Sequence, residues 1–125
     1  QYILKLMTRN KNGGSIGFVS STAALDANQG RNAYSSSKAA LISQSKVLSR
    51  ELGAKNIRVN SIAPGITDTE MLKKNTPENL LKKVKESTSL DRIARPEEIA
   101  NVILFLSSDL SSYVTCQVIR VDGGM

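Results

Sequence analysis

Ser20–Lys38, SSTAALDANQGRNAYSSSK, connects a short apolar segment to a long helical one. The apolar residues before it predict a strand over Ser15–Ser20 that is buried on both faces, as in a parallel sheet. The residues after it predict a helix from about Tyr34 to Leu52, with Gly53 as its stop. A second strand is expected at Ile57–Ile62, IRVNSI, so the two strands and the helix between them predict a right-handed βαβ unit.

Three polar side chains in this unit suggest acid–base chemistry. Tyr34 and Lys38 are four residues apart on the predicted helix, so they share a face with Cβ atoms roughly 5–6 Å apart. A positive charge near a phenol favours the ionised form, which a proton-transfer catalyst must be able to adopt. Ser21 follows the strand, and its hydroxyl could hold a carbonyl oxygen while Tyr34 protonates it. A chance Tyr/Lys pair and ordinary turn chemistry at the serine are the alternatives.

Five segments resemble the short-chain dehydrogenase/reductase family, in its classical branch, between about Gly14 and Met125. They are GGSIGFVSS, YSSSK, IRVNSIAPGITDTEM, RPEEIANVILFLSSD and VTCQVIRVDGG. The similarity is greatest to the beta-ketoacyl-acyl-carrier-protein reductases. It implies that Ser21, Tyr34 and Lys38 are the catalytic serine, tyrosine and lysine.

The resemblance also implies the fold class. It is α/β: the carboxy-terminal half of a Rossmann-like doubly wound parallel sheet, with about three parallel strands and flanking helices. Residues 1–125 would form a single partial domain, the catalytic half, because no glycine-rich turn opens a helix here. Gly13, Gly14 and Gly17 instead lead into or lie in a strand. The amino-terminal half that binds the cofactor pyrophosphate would be absent.

Ala63-Pro64-Gly65 ends the second strand, and ligands of open parallel sheets bind outside the carboxyl ends of strands. A simple turn is the alternative interpretation of Pro64-Gly65. By resemblance, the cofactor is NAD or NADP. Its nicotinamide end would contact Tyr34, Lys38, Pro64, Gly65, Ile66, Thr67 and Thr69, with the last three at the carboxamide and Lys38 at the ribose.

The remaining segments complete the expected fold. Gln1–Asn10 looks like the end of a helix, and the long Asp68–Ile93 segment is typical of a lid beside an active site. Arg95-Pro96-Glu97-Glu98 favours a helix start, since proline suits the first helical position and early acids complement the helix dipole. A third strand is predicted at Gln117–Val121. Cys116 stands before it where the family commonly has glycine, which would be awkward if the backbone needs positive φ.

Composition excludes several classes of function. The 125 residues carry a net charge of +6, concentrated in a lysine-rich segment: Lys73, Lys74, Lys82, Lys83 and Lys85. A solvated helix face is the favoured interpretation, with Leu80, Leu81 and Val84 as the apolar stripe, and a docking patch for an acidic carrier protein is the alternative. No nucleic-acid motif and no membrane-spanning apolar run is present. A His/Cys zinc site is excluded because the sequence has no histidine and one cysteine. That lone cysteine fits the cytoplasm.

Two main hypotheses follow. In the first, the protein is an NAD(P)-dependent oxidoreductase that reduces a carbonyl, such as a 3-oxoacyl thioester on a carrier protein. It would be a homo-oligomer through the small-residue face of the 34–52 helix, as the resemblance implies; close packing of that face on the sheet alone is the alternative. In the second, the 125-residue chain is a truncated, catalytically inactive fragment or an oligomerisation module, with an unpaired strand edge at Ser15–Ser20. The nucleotide-sugar epimerase/dehydratase branch is a weaker alternative, against which IANVILFLSSD and VDGG argue.

Overall fold

The computed structural model describes residues 2–10, 12–26 and 28–125, and the side chains of Met71, Lys73, Asn75 and Leu80 lie outside this description. The helices and strands have the following order along the chain. They are α1 (Tyr2–Arg9), β1 (Gly14–Val19), α2 (Asn32–Leu52), β2 (Ile57–Pro64), α3 (Glu70–Asn75), α4 (Glu78–Glu86), α5 (Pro96–Ser107) and β3 (Val118–Val121). Short 3-10 turns lie at Thr22–Ala24, Gly53–Lys55 and Asp109–Ser111.

The strands form one parallel sheet in the order β1-β2-β3. The β1–β2 register runs from Gly14 opposite Ile57 to Val19 opposite Ile62. β2 continues past the end of β1 and pairs with β3 up to Pro64 opposite Val121. The predicted α/β class with three parallel strands and flanking helices is confirmed.

Helices cover both faces of the central strand β2. On one face, Ile57 and Val59 form a buried cluster with Leu52, against which α1 also packs. On the other face, Ile62 forms a second cluster with Ile99 and Leu106 of α5. The side chains of a strand alternate between its faces, so one eight-residue segment organises both cores.

The expectation that β1 is buried on both faces was wrong. Its residues are at best half-buried, and Val19 is 48% exposed. Among the described residues β1 pairs only with β2, so it is an edge strand, whereas the central β2 is largely buried.

Element boundaries differ from the predictions by a few residues. The helix expected from Tyr34 begins at Asn32, and the strand expected to end at Ile62 continues to Pro64. The third strand begins at Val118 and not at Gln117. Helix α1 confirms the first predicted segment apart from Gln1, which is outside the described residues.

The long segment 68–93 is more regular than its weak periodicity indicated. Thr69 caps α3 by accepting a hydrogen bond from the Leu72 backbone N–H at 3.3 Å. In α4, Leu81 and Val84 are half-buried while Lys82, Lys83 and Lys85 are exposed, as the stripe predicted. The side chains of Lys73 and Leu80, which belong to the same prediction, are outside the description.

Helix α2 ends at Leu52 by a different device from the one expected. Gly53 has a right-handed conformation, with φ −57°, and the chain continues through a 3-10 turn. The left-handed residue is Asn56, with φ 56°. Asparagine tolerates this conformation better than most residues because its short polar side chain can hydrogen-bond locally. Gly53 therefore lies where the helix ends, but it does not supply the left-handed conformation.

Cys116 adopts φ 63°, in the left-handed region that favours glycine. The position is fixed because the Cys116 backbone N–H donates to the Val59 carbonyl at 2.8 Å. A residue with a Cβ costs roughly 1–2 kcal/mol in this conformation. The prediction that Cys116 would be unfavourable if this position needs positive φ is therefore confirmed.

We expect Cys116→Gly to raise the free energy of unfolding by about 1 kcal/mol, because it removes that strain and loses only a small, half-buried thiol. Urea unfolding followed by circular dichroism measures the change. Cys116→Ala is the matched control, since it removes the sulfur and keeps the Cβ. An equal gain in the alanine variant would contradict the backbone explanation.

The start of α5 is fixed by Glu98. Its carboxylate accepts two hydrogen bonds from the Arg92 guanidinium, both at 2.7 Å, and one from the Arg95 backbone N–H at 2.8 Å. The hydrogen bonds from Arg92 are the main cause that lowers the pKa of Glu98 to about 2. The same ion pair raises the pKa of Arg92.

We expect Glu98→Gln to destabilise the protein at about pH 7 and to lose that effect in acid. The lowered pKa means that ionised Glu98 favours the folded state above its unfolded pKa, and that this contribution disappears as the pH falls from 4.5 to about 2. Urea unfolding of both proteins across this range measures it. Glu97→Gln is the control, because Glu97 has no ion pair among the described residues. A destabilisation by Glu98→Gln that persists at about pH 2 would contradict the assignment.

No helix among the described residues combines the length and the apolar character that crossing a bilayer requires.

Candidate active site

The carboxyl ends of β1 and β2 meet at one edge of the sheet, and a cavity opens there. Ser21 follows β1 and Gly65 follows β2, and the two strands are parallel neighbours. The cavity has a volume of about 550 Å³. Its lining residues come from the β1–α2 loop, α2, the β2–α3 segment, α3 and the carboxy-terminal tail. They are Ser21, Thr22, Ala23, Asn28, Gln29, Arg31, Tyr34, Gly65, Ile66, Thr67, Thr69, Leu72, Thr76 and Met125.

Two hydrogen bonds hold the first turns of α2 against the end of β1. The Ser20 hydroxyl donates to the Lys38 carbonyl at 2.8 Å. The Lys38 ammonium donates back to the Val19 carbonyl at 3.1 Å. This reciprocal contact fixes the helix face that carries both Tyr34 and Lys38.

Tyr34 lines the cavity with a side chain that is 47% exposed. The Lys38 ammonium nitrogen lies 5.9 Å from the centroid of its ring, so a positive charge faces the phenol from within its own helix. Lys38 itself is not among the described residues that line the cavity.

The Ser21 hydroxyl caps the 3-10 turn that follows it. Its oxygen accepts a hydrogen bond from the Ala23 backbone N–H at 3.2 Å. A hydroxyl has one donor and two acceptor positions, so its proton remains available to a ligand. The cap thus orients a donor beside the cavity that Tyr34 also lines.

Of the residues expected at the nicotinamide, Gly65, Ile66, Thr67 and Thr69 line the cavity and Pro64 does not. The hydroxyl of Thr67 donates to the Gly65 carbonyl at 3.2 Å. The Thr69 hydroxyl oxygen accepts a hydrogen bond from the Leu72 backbone N–H at the start of α3. The hydroxyl proton is therefore still able to donate to a ligand.

Backbone groups and threonine hydroxyls suit a primary carboxamide, which both donates and accepts hydrogen bonds. The residues present therefore fit the nicotinamide end of a cofactor. The described residues do not offer a corresponding site for the pyrophosphate end of the cofactor, because none of their strand-to-helix turns is a glycine-rich cradle.

Eight lining residues were not among the predicted site residues: Thr22, Ala23, Asn28, Gln29 and Arg31 in the β1–α2 loop, Leu72 and Thr76 around α3, and Met125 in the tail. Nothing in the spacing of Met125 points to the cavity, since it reaches it only through tertiary folding.

Arg120 connects the tail to the β1–α2 loop. Its guanidinium makes two hydrogen bonds to the Asp26 carboxylate, at 2.9 and 3.1 Å, and one to Asp122 at 2.7 Å. It also donates to the Met125 carbonyl at 3.2 Å. Burial acts to raise the pKa of Asp122, but the hydrogen bonds from Arg120 and from the Gly124 backbone N–H outweigh it and lower that pKa. The hydrogen bonds to Asp26 and to Asp122 raise the pKa of Arg120.

The same tail is bound to the segment that follows α4. The Leu90 backbone N–H donates to the Gly123 carbonyl at 3.2 Å, and the Ser89 hydroxyl donates to the Gly124 carbonyl at 3.0 Å. A Cβ on Gly124 would lie 2.6 Å from the Ser89 hydroxyl oxygen, and φ there is 80°. Only glycine therefore allows this close approach, which keeps the tail at the cavity wall.

Comparison with known proteins agrees with this geometry. The model of the family described as enoyl-(acyl carrier protein) reductase matches residues 1–125. The chain is 45% identical over 125 residues to the 3-oxoacyl-[acyl-carrier-protein] reductase FabG of Thermotoga maritima, covering 100% of this chain and 50% of that protein. The chain spans about half the length of the curated relatives it matches.

Solved structures show the same fold. A 3-oxoacyl-[acyl-carrier protein] reductase from Brucella melitensis superposes with a TM-score of 0.89 at 33% identity, covering 98% of this chain and 45% of that one. A 7 alpha-hydroxysteroid dehydrogenase complexed with NADH and 7-oxo glycochenodeoxycholic acid gives 0.89 at 39% identity, covering 94% and 46%. The match over the whole chain, together with the fold, shows that this chain belongs to the short-chain dehydrogenase/reductase family.

Proposed function

We propose that the protein is an NAD(P)-dependent oxidoreductase that reduces a carbonyl group to an alcohol, with Ser21, Tyr34 and Lys38 as its catalytic residues. The observation that carries the proposal is that Ser21 and Tyr34 line one cavity with Gly65, Ile66, Thr67 and Thr69, while the Lys38 ammonium lies 5.9 Å from the centroid of the Tyr34 ring. The membership of the chain in a family of oxidoreductases supports it.

Each catalytic side chain has a separate task. Ser21 donates its hydroxyl proton in a hydrogen bond to the substrate oxygen and orients it, since the serine oxygen is already held by the Ala23 N–H. Tyr34 gives its phenolic proton to that oxygen as negative charge develops on it. Lys38 favours the resulting phenolate through its charge and, in our proposal, also hydrogen-bonds the nicotinamide ribose.

Gly65, Ile66, Thr67 and Thr69 would hold the nicotinamide end of the cofactor, with the carboxamide against the last three. When bound, the cofactor supplies the hydride that the carbonyl carbon receives. The backbone and hydroxyl groups of this segment would bind and orient it at the carboxyl end of β2.

We propose a 3-oxoacyl thioester carried by an acyl carrier protein as the substrate class. The FabG relative is named for this reaction. The exposed Lys74, Lys82, Lys83 and Lys85 offer a positive surface to an acidic carrier protein. A solvated helix face is the favoured interpretation of these lysines, and docking of the carrier protein is the alternative.

The direct test is the oxidation of NADH and of NADPH, followed by absorbance, with acetoacetyl-coenzyme A as a soluble 3-oxoacyl thioester. The protein is used in its full natural length. We expect consumption of one of the two cofactors and formation of the 3-hydroxyacyl product in equal amounts. Binding of cofactor without product from any carbonyl compound would reject the reductase assignment.

We further propose that the protein is a homo-oligomer through α2. The face of α2 opposite its buried residues is exposed and consists largely of small side chains: Ala33, Ser36, Ser37, Ala40 and Ser43. Small residues at three- and four-residue intervals let a second helix approach closely. The same face supports a second candidate, an oligomerisation module without activity of its own, with the β1 edge as a further contact.

We expect Ala40→Arg to halve the molar mass measured by light scattering, because a long charged side chain cannot be accommodated in a close helix contact. Arginine is a good helix former, so the fold of the protomer should not change. Lys46→Glu alters the charge on the flank of the same helix and should leave the mass unchanged. A mass unaffected by Ala40→Arg would place the interface elsewhere.

A further inference from the structure

The charge on the side chains that line the cavity is of one sign. Among its described lining residues, Arg31 carries the sole ionic side chain; the others are apolar, hydroxyl-bearing or amide. Asp68 and Glu70 alternate along the chain with the lining residues Thr67 and Thr69, but neither of them lines the cavity. The side chains that line the cavity therefore present a positive charge to a ligand.

The Arg31 side chain has no ion pair and no side-chain hydrogen bond within the described part of the chain. Other arginines differ sharply: Arg92 binds Glu98, and Arg120 binds Asp26 and Asp122. A guanidinium has five N–H donors and no acceptor. At Arg31 these donors face solvent and the cavity.

The backbone of Arg31 is nevertheless fixed. Its N–H donates to the Asn28 carbonyl at 3.3 Å, and its carbonyl accepts from the Ser35 N–H at 2.8 Å, which starts α2. Arg31 immediately precedes α2, and Tyr34 lies in the first turn of that helix. The backbone of Arg31 is thus held beside the turn that carries Tyr34, and both residues line the cavity.

We propose that Arg31 widens the substrate range of this cavity by binding a carboxylate, so that the anion of a free 3-oxoacid is accepted beside the 3-oxoacyl thioester. This inference rests on the proposed reductase function of the same cavity. The planar fork of arginine matches a carboxylate through two parallel hydrogen bonds. No carboxylate side chain among the described lining residues competes for it.

The first test measures binding without turnover. Isothermal titration of the full natural protein uses succinate, an unreactive dicarboxylate, with and without NAD+. We expect Arg31→Gln to weaken succinate binding roughly 10- to 100-fold, the range for charge-assisted hydrogen bonds, and Arg31→Lys to recover part of it. Arg50→Gln removes the same charge from the other end of α2, about 28 Å away, and should have no effect.

Three binding results overturn the inference. One is the absence of succinate binding to the wild type, the second is equal affinity in the Arg31→Gln variant, and the third is tighter binding of inorganic phosphate than of succinate. The third result would assign the guanidinium to a phosphoryl group.

The second test compares acetoacetate with its neutral methyl ester. We expect Arg31→Gln to raise KM for acetoacetate by the same factor and to leave kcat/KM for the ester unchanged. Equal effects on both substrates would overturn the carboxylate assignment while the reductase function stands. Succinate binding that depends on Arg31, without reduction of any carbonyl compound, would support the anion site and reject the reductase.

Discussion

Tyr34→Phe should lower kcat by about 10²- to 10⁴-fold, the range in which a positioned general acid contributes. The substitution removes one oxygen, and the proton that the substrate oxygen must receive then has no donor at that point of the cavity. The remaining ring keeps its place, because Tyr34 is half-exposed at the start of α2 and its backbone stays helical. The free energy of unfolding should change by less than about 0.5 kcal/mol.

The experiment combines cofactor oxidation with urea unfolding, both on the full natural protein. Tyr113→Phe is the matched control: it makes the same chemical change on a fully exposed ring that is not among the residues lining the cavity. A Tyr34→Phe variant that retains more than about a tenth of wild-type kcat would remove this residue from the mechanism. A large loss of stability would instead show that the phenol has a structural role.

Ile57→Ala should lower the free energy of unfolding by about 2–5 kcal/mol. Ile57 is 1% exposed and opens the central strand, where it packs with Val59 and Leu52 between the sheet and α2. The truncation removes three carbons from this cluster and leaves a cavity, because backbone hydrogen bonds hold both neighbours of the strand in register.

Ile3→Ala is the control, since it deletes the same atoms from a side chain that is 69% exposed, and it should cost less than about 0.5 kcal/mol. Urea unfolding measures both variants, and the dependence of the free energy on denaturant should be unchanged. Similar costs for the two variants would mean that the β2 cluster does not form the main core.

Much of the candidate site could be predicted from local sequence. The distance of four residues between Tyr34 and Lys38 is converted by helix geometry into a shared face, and the structure places an ammonium 5.9 Å from the ring. Ser21 and Gly65 follow neighbouring parallel strands, which brings them to one edge of the sheet without further information. The catalytic roles of these residues stay predictions until the substitutions are made.

Other features could not be predicted because they depend on contacts distant in sequence. The pairing of Arg120 with Asp26 joins residues 94 positions apart, and it is what fixes Met125 beside the loop of the site. The exposure of β1 depends on its position at the edge of the sheet, and its apolar composition does not predict that position. Arg31 was overlooked for the same reason: its significance lies in the charges that surround it.

The sequence by itself determined the strand–helix–strand order around Ser20–Lys38 and the helix face that carries Tyr34 and Lys38, because these follow from periodicities within a few residues. The α/β class was implied by the resemblance of its motifs to a known family. Only the tertiary structure decided the walls of the cavity and its charge. A cavity is bounded by segments that meet in space, and their contacts depend on how the helices pack on the sheet.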